Sequence, residues 1–384
     1  MSDRILFSIG EALIDMIPSR VGCSFDEVPA FSPRVGGAPA NVCAAVARLG
    51  GRSALLSQLG DDPFGHKIAR ALAGCGVELS HLEFTGKAST ALAFVSLAEN
   101  GERTFSFCRK PSADLLYAPE QIDPGWFSQA FALHFCSVSL VDSPMRYAHL
   151  AAITAAREAG AILSFDPNLR FPLWPDREQL RQTVWQFLPL THILKLSDEE
   201  LPFLTGTEDI EAALPALFTG DVQLVLYTCG SKGARAYTRT ASAAPRPSMT
   251  AVDTTGAGDG FIGSFLWQLQ RDGVTVAELP KLSRKRLTEY LAFPTASVPS
   301  ACSTTVRSTA TPPWHRWSSR RPISPCYKGK FTAHFVFFNI YMLYCIKVRS
   351  LTTQKEEPMP FEFAFLDWLY QFRNPVMNTI SIFF

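Results

Sequence analysis

The chain lacks an excess charge of either sign, and it lacks cysteine pairs at metal-binding spacing. Its net charge is +1 over 384 residues, which argues against a protein that holds nucleic acid on a basic face. Nine cysteines, without a CxxC pair, argue against a disulfide framework or a structural zinc site and favour a reduced, cytoplasmic chain. The patterns HExxH, GxSxG and GxxxxGK[ST] are also absent, which removes the signatures of zinc proteases, serine hydrolases and Walker A loops.

A long apolar run is missing as well. The candidate membrane segment, Phe331 to Ile346, spans sixteen residues between two lysines and includes His334 and Asn339. A membrane-spanning helix needs about twenty apolar residues. We therefore expect no stable association with a membrane.

Acidic residues disappear from one stretch near the C-terminus. From Pro294 to Lys355 the chain has nine Lys or Arg and no Asp or Glu, whereas the residues up to Phe293 are acidic overall. Pro, Ser and Thr crowd the start of this stretch, without an apolar period of a helix or a strand. Such a shift marks a disordered tail or a segment shaped by different selection. We divide the chain into a folded domain, 1–293, and an aberrant tail, 294–384.

The folded domain predicts strands that alternate with helices. Apolar runs of strand length cover Arg4–Ile9, Ser53–Leu59, Ala130–Ser137, Ala161–Asp166, His192–Lys195 and Val222–Tyr227. Helix-like segments lie at Ala40–Leu49, Pro63–Leu72, Ala148–Ala159, Gly258–Gln270 and Lys281–Phe293. This alternation predicts an α/β fold with a mainly parallel sheet that is covered on both faces. The second helix is expected to end at Gly74.

One hairpin departs from the alternation. Thr90–Ala98 and Arg103–Cys108 flank a turn at Glu99-Asn100-Gly101, which is the pattern of two antiparallel strands. An extra sheet over the strand ends of an α/β fold often acts as a lid. We expect a small β lid from about residues 15–35 and 90–110.

The segment DTTGAGDG, residues 253–260, carries the strongest chemical signal. A Gly-x-Gly turn before a helix exposes backbone N–H groups and the positive end of the helix dipole, which together bind an anion such as phosphate. Asp259 stands in the first helical turn, where a carboxylate can take a proton from a hydroxyl that attacks phosphorus. The alternative is an ordinary glycine turn with a helix-start carboxylate, since such turns are common.

The second signal is the segment GGAPAN, residues 36–41. Its two glycines let the backbone approach a ligand closely. Asn41 then offers a hydrogen-bond donor and an acceptor at the start of a helix, which suits a polyol. The alternative is a tight turn with an Asn cap.

Together, these two segments resemble the signatures of the PfkB, or ribokinase-like, carbohydrate kinase family. The resemblance runs from about Ile5 to Phe293. Four further segments are similar to family motifs and follow in order: GEALID at 10–15, DPNLR at 166–170 with Leu173-Trp174 behind it, SDEE at 197–200 with Ser in the place of the family's Asn, and TCGSKG at 228–233. The resemblance implies a three-layer α/β/α sandwich with a mainly parallel central sheet and a small β lid.

The resemblance also implies an activity, the transfer of a phosphoryl group from ATP to a sugar hydroxymethyl group with Mg²⁺ bridging the phosphates. Asp259 is the expected base, and the N–H groups of Gly256, Ala257 and Gly258 are the expected phosphoryl donors. The residues expected to bind the sugar are Asp15, Gly36, Gly37, Asn41, Arg109, Asp166 and Arg170. The residues expected at the nucleotide are Asn168, Ser197, Glu200, Thr228, Gly230 and Gly233, with Glu200 holding Mg²⁺ through water. Asp253 and Thr255 match positions that hold a monovalent cation, usually K⁺.

The sugar stays open at this point. The GGAPANV wording is most like bacterial fructokinases. The alternative is 2-keto-3-deoxygluconate kinase, which shares DxNxR and needs a cation for the carboxylate of its substrate. Arg109 and Arg170 are candidates for that cation, and the other reading of Arg109 is a solvated charge on the lid.

The tail leaves the activity of this chain open too. The family continues after Phe293 with Ala-Asn and an Ala-rich helix, but two prolines in Pro294–Pro299 cannot continue a helix. A frameshift in or near the following codon would explain the tail. The missing segment would wall the adenine, so a catalytically impaired sugar-binding remnant is the alternative to an active kinase. A homodimer is a further expectation, because family members often pair through the lid.

Overall fold

The computed structural model describes residues 3–20, 22–23, 25–97, 103–244 and 256–292. All of them fall in one compact unit. The expected tail 294–384, its aromatic run 331–346 and the two residues expected at the monovalent cation, Asp253 and Thr255, lie outside the described residues.

The described residues form thirteen strands and eight α-helices. The strands are β1 Ile5–Ile9, β2 Leu13–Pro18, β3 Phe31–Gly36, β4 Ser53–Gly60, β5 Leu82–Thr85, β6 Leu92–Leu97, β7 Arg103–Cys108, β8 Ala130–Cys136, β9 Ile162–Asp166, β10 Ile193–Ser197, β11 Leu224–Thr228, β12 Ala234–Tyr237 and β13 Ser242–Ala243. The helices are α1 Ala38–Arg48, α2 Pro63–Cys75, α3 Pro144–Glu158, α4 Arg177–Phe187, α5 Leu201–Thr205, α6 Ile210–Leu217, α7 Ala257–Arg271 and α8 Arg284–Ala292.

Nine of these strands form the central sheet, in the order β13-β12-β11-β10-β9-β8-β1-β4-β5. The seven strands from β11 to β5 run parallel. At one edge, β12 pairs antiparallel with both of its neighbours, β11 and β13. The strand order reverses direction around β1, which has β4 on one side and β8 on the other. Ligands of open α/β sheets bind at the carboxyl ends of the strands near such a point.

Helices cover both faces of this sheet because side chains alternate along each buried strand. In β1, Phe7 packs into the cluster that contains residues of α3 to α6. Its neighbour Leu6 points the other way, into the cluster formed with α1, α7 and α8. The predicted α/β fold with a mainly parallel, doubly covered sheet is therefore confirmed.

The remaining four strands form a separate sheet in the order β3-β2-β6-β7. The hairpin of β6 and β7 is antiparallel, as the sequence predicts, and β6 lies parallel to β2. The sheet therefore combines a segment before α1 with the later hairpin, in the two regions expected to build the lid.

Several boundaries differ from the prediction. Helix α2 passes through Gly74 and ends at Cys75, and the C-cap residue Gly76 has a φ of 87°, a left-handed conformation that glycine adopts readily. The last helix begins at Arg284, because a 3₁₀ segment over Val276–Lys281, with Pro280 inside it, occupies the preceding residues. The described part of the chain includes no helix long and apolar enough to cross a membrane.

Candidate active site

The candidate site lies where the parallel strands end. Asp166 closes β9, Ser197 closes β10 and Thr228 closes β11. The register pairs Ser197 with Thr228 and Asp166 with Cys136 of β8, so these residues stand side by side along the carboxyl edge. Parallel pairing thus brings together motifs that are far apart in the sequence.

Helix α7 begins beside this edge. Its N-cap is Gly256, which has φ 71° and ψ 6° and makes no side-chain cap hydrogen bond. The Gly260 N–H donates to the Gly256 carbonyl at 2.8 Å, which closes the first turn. The earlier N–H groups, including those of Ala257 and Gly258, have no acceptor within the helix. This helix start has the geometry expected of an anion site.

Asp259 lies in that first turn and contacts Asn41 of the segment GGAPAN. The Asn41 Nδ2 atom donates to Asp259 Oδ2 at 2.9 Å. Burial raises the pKa of the Asp259 carboxyl, while the Asn41 hydrogen bond and the nearby charges of Lys195 and Arg170 lower it. The raised pKa suits a carboxylate that must accept a proton during the reaction.

A buried lysine that the sequence reasoning missed lies next to these groups. Lys195 belongs to β10, and its Nζ atom lies 2.8 Å from Asp166 Oδ2. The same Nζ atom lies only 3.3 Å from the position that a Cβ on Gly258 would occupy. Burial raises the pKa of Asp166 to about 7, against the lowering effect of Lys195. A lysine inside an otherwise apolar strand was the available signal.

Glu200 connects two of the loops at this edge. Its Oε1 accepts from the Leu169 N–H at 2.9 Å, and its Oε2 accepts from the Ser197 N–H at 2.8 Å. Asn168, just before Leu169, has a φ of 46°, which turns the chain sharply after β9. A carboxylate has about four acceptor positions, so Glu200 keeps the capacity to bind water.

The glycines of the second signature allow a close approach of backbone and side chains. A Cβ on Gly36 would collide with the Asp15 carboxylate. Gly37 has φ 102°, and a Cβ there would lie 2.5 Å from the Glu11 carbonyl oxygen. Gly36 and Asp15 belong to paired lid strands that lead into α1. The structure therefore brings Asp15, Gly36 and Gly37 together at the start of the helix that carries Asn41.

Arg109 is buried rather than solvated. It follows the lid strand β7 and forms an ion pair with Asp114, with both side chains almost fully buried. It also donates to the Val138 carbonyl at 3.0 Å and to Ser139 Oγ at 3.1 Å. The reading of Arg109 as a solvated lid charge is wrong. Contact between Arg109 and the sugar stays a prediction, and the Arg109 side chain already forms an ion pair with Asp114.

Glu11 extends the polar cluster around Arg109. Its Oε2 accepts from Ser139 Oγ at 2.7 Å, and its Oε1 accepts from the Ala38 N–H at 3.3 Å. Burial raises the pKa of Glu11, and the charge of Arg109 lowers it. Sequence reasoning used only the Asp15 end of the GEALID segment and missed its glutamate.

Arg170 connects the loop after β9 to the lid. Its Nη1 donates to the Leu169 carbonyl at 2.9 Å, and its Cζ lies 5.4 Å from the centre of the Phe105 ring in β7. Such a contact between a guanidinium and an aromatic face is attractive. Arg170 is thus positioned between the lid and the carboxyl edge.

The expected nucleotide turn follows β11. The Thr228 carbonyl accepts from the Asp198 N–H at 2.9 Å, which ties the ends of β10 and β11 together. Gly230 and Gly233 have φ values of 50° and 91°. Both conformations favour glycine, so the glycines of this segment have a backbone reason to be there.

The fold and the site together define a carbohydrate kinase of the ribokinase-like type. The model of the pfkB family of carbohydrate kinases matches residues 4–315, and the chain belongs to this family. The match extends past Phe293, so the domain boundary at that residue stays a prediction.

Individual relatives agree with the family. The chain is 44% identical to probable fructokinase-4 of Arabidopsis thaliana over 281 residues, which are 72% of this chain and 86% of that protein. A fructokinase from Xylella fastidiosa with bound ATP has 36% identity and a TM-score of 0.70, covering 78% of this chain and 94% of its own. A fructokinase from Vibrio cholerae O395 with fructose, ADP and calcium has 35% identity and a TM-score of 0.66, covering 77% and 91%.

Proposed function

We propose that this chain transfers the γ-phosphoryl group of ATP to the hydroxymethyl group of fructose. The observation that carries the proposal is the hydrogen bond between Asn41 and Asp259 at the N-terminus of α7. It joins a side chain suited to a sugar hydroxyl to a partly buried carboxylate at a helix start that suits an anion.

The chemistry assigns separate tasks to these groups. Asp259 takes the proton of the attacking hydroxyl as the new O–P bond forms and the bond to the ADP leaving group breaks. The N–H groups of Gly256, Ala257 and Gly258 stabilise the charge on the phosphoryl oxygens in transit. Asn41, Asp15, Gly36 and Gly37 hold the sugar, together with Asp166.

Asp166 has a carboxylate oxygen that could accept a hydrogen bond from the sugar. Its Oδ2 is occupied by Lys195, whereas its buried Oδ1 has no hydrogen-bond partner among the described residues. A buried acceptor without a donor is costly. A sugar hydroxyl would satisfy it.

The residues that we assign to the nucleotide lie at or after the ends of β9, β10 and β11. Asn168, Ser197, Thr228, Gly230 and Gly233 would contact ATP. Within the described ranges, no group of three or more His, Cys, Asp or Glu side chains could hold a metal. Mg²⁺ usually keeps several waters and binds through substrate phosphates, so Glu200 would hold it through water. K⁺ remains the expected ion for Asp253 and Thr255.

The interactions that Arg109 and Arg170 already make favour fructose over 2-keto-3-deoxygluconate as the substrate. Arg109 is neutralised by Asp114 in the protein interior, so it offers little to a substrate carboxylate. Arg170 is the remaining candidate, and it is already stacked on Phe105. The relatives described above carry the name fructokinase, which points the same way.

The direct test measures ATP-dependent phosphorylation of fructose and of 2-keto-3-deoxygluconate by the full chain. Asp259→Asn keeps the shape of the side chain and removes the base, so kcat should fall about 10³-fold. Asp142→Asn, at an exposed position, is the matched control. Preference for 2-keto-3-deoxygluconate would replace the proposed substrate. A folded chain that binds fructose without turnover would support the impaired remnant instead.

A further inference from the structure

Lys195 occupies an unusual position for a lysine. It lies in the middle of β10, in the central sheet, with about 6% of its surface exposed. Its ammonium contacts Asp166 at 2.8 Å and lies against Gly258 in the first turn of α7. It therefore touches both the strand-end carboxylate and the helix start that form the candidate site.

The charges around Lys195 explain why a cation is stable there. Asp166, Glu200 and Asp259 all act on it and raise its pKa, against the opposing effect of burial. A buried charge persists only where partners offset the loss of hydration. One ammonium thus serves two buried carboxylates and the partly buried Asp259, at the point where phosphate charge would also arrive.

Other groups face the same carboxylates. Arg170 acts on Asp259 from the loop after β9, and Asn41 binds it from α1. On β8, burial keeps the pKa of His134 low and that of the Cys136 thiol high. Both groups are therefore uncharged near neutral pH, and the cations that act on Asp259 within the described part of the chain are Lys195 and Arg170.

We infer that Lys195 is a positioning residue for phosphoryl transfer. It holds the Asp166 carboxylate with one oxygen free, and its ammonium packs against Gly258 so that the start of α7 and Asp259 keep their places. The inference rests on the proposed function, since it assigns Lys195 a part in that same reaction.

The geometry also explains one glycine of the signature. A Cβ at position 258 would lie 3.3 Å from Lys195 Nζ and 4.0 Å from its Cε. The first distance is tighter than ordinary van der Waals contact, so glycine leaves room for the ammonium as well as for a phosphate. The lysine and the anion turn therefore form one packed unit.

The test replaces Lys195 with Met, which keeps the length of the stem and removes the charge. In Lys195→Met, kcat for fructose should fall about 10- to 100-fold, with KM for fructose changed by less than about threefold. The low-pH limb of kcat should move to higher pH, because Asp259 loses a cation that favours its ionised form. Lys285→Met, at an exposed position of α8, is the matched control and should behave as the wild type.

A second variant covers the case in which Lys195→Met leaves Asp166 unpaired and fails to fold. Lys195→Met/Asp166→Asn removes both charges of the pair and is compared with Asp166→Asn alone. If kcat is lower in the double variant than in Asp166→Asn, and its low-pH limb lies at higher pH, Lys195 also acts on the start of α7 and on Asp259. Identical kinetics in the two variants would reduce Lys195 to the counter-ion of Asp166 and overturn the inference.

A readout without turnover separates the two proposals. Carbon-13 NMR of aspartate-labelled protein follows the Asp259 carboxyl, assigned through Asp259→Asn, in the wild type and in the folded Lys195 variant. A higher titration pH in the variant supports the inference even if no sugar is phosphorylated, in which case only the proposed function fails. An unchanged titration, with unchanged kcat where turnover is seen, overturns it.

Discussion

Asn41 Nδ2 lies 2.9 Å from Asp259 Oδ2, which joins two helix starts that are 218 residues apart in the sequence. The two helices approach closely because Gly263 of α7 packs against α1. A Cβ on Gly263 would lie 2.8 Å from Ala45 Cβ and 3.2 Å from the Val42 carbonyl oxygen. Close helix packing thus sets the distance between the side chain suited to the sugar and the carboxylate assigned as base.

This contact predicts the effect of removing the amide. Asn41→Leu keeps the approximate shape of the side chain and removes the donor that lowers the pKa of Asp259. Because activity needs the ionised carboxylate, the low-pH limb of kcat should move to higher pH. The loss of a hydrogen bond to a charged group should also lower kcat/KM for fructose about tenfold or more at neutral pH. Steady-state kinetics from pH 5 to 9 measure both effects.

A second substitution at Asn41 tests the direction in which the low-pH limb of kcat moves. Asn41→Asp places a carboxylate beside Asp259, and like charges disfavour ionisation. Its limb should therefore lie at still higher pH than that of Asn41→Leu. A limb at lower pH than wild type in either variant would contradict the assignment of Asp259 as the titrating base.

The sequence was informative where a backbone pattern and a chemical pattern coincide. The run before Gly10, the helix after Gly37 and the turn at Gly256 all lie where expected, because apolar period and glycine position act locally. The hairpin of β6 and β7 was predictable for the same reason. The residues at the ends of β9, β10 and β11 lie side by side because these strands are parallel.

Other features depend on contacts that no local pattern encodes. Lys195 is charged inside an apolar strand, and only the three-dimensional arrangement shows that Asp166 and Gly258 surround its ammonium. Asp114 pairs with Arg109 from a 3₁₀ segment after the lid, and nothing in its neighbourhood predicts a buried carboxylate. Short strands such as β5 and β13 take their conformation from their partners in the sheet.

Gly37 predicts a stability difference between two glycines. Its φ is 102°, and a Cβ would lie 2.5 Å from the Glu11 carbonyl and 2.9 Å from Ala12 Cα. Gly37→Ala should lower the free energy of unfolding by at least about 2 kcal/mol. Gly74→Ala is the matched control, since it lies inside α2 with no atom within 4 Å of the added Cβ. It should be neutral or stabilising by up to about 1 kcal/mol. Urea unfolding compares them, and equal losses would contradict the geometry.

The Arg109–Asp114 pair predicts a large but recoverable loss of stability. Both side chains are almost fully buried, so Asp114→Asn removes the direct ion-pair partner of Arg109 and leaves Glu11 as the carboxylate that acts on it. The substitution should cost about 3 kcal/mol of unfolding free energy. Arg109→Met/Asp114→Asn removes both charges and should recover much of that loss. Arg181→Met, in an exposed pair with Glu178, should change stability little. A double variant as unstable as the sum of its single variants would argue against direct pairing.

His134 predicts part of the acid sensitivity of the fold. Burial, and then the charge of Lys195, lower its pKa to about 3, and its Nδ1 lies 3.0 Å from Ser164 Oγ. Between that pKa and the ordinary value of about 6.5, the unfolded chain binds a proton that the folded chain does not. The free energy of unfolding should therefore fall as the pH falls below about 6.5.

The variant His134→Asn tests this expectation. It should be less stable than the wild type at pH 7, and its free energy of unfolding should fall less steeply between pH 6.5 and 4. Chemical unfolding at a series of pH values measures these slopes, and a His134 variant as steep as the wild type would show that the ring is protonated in the folded protein.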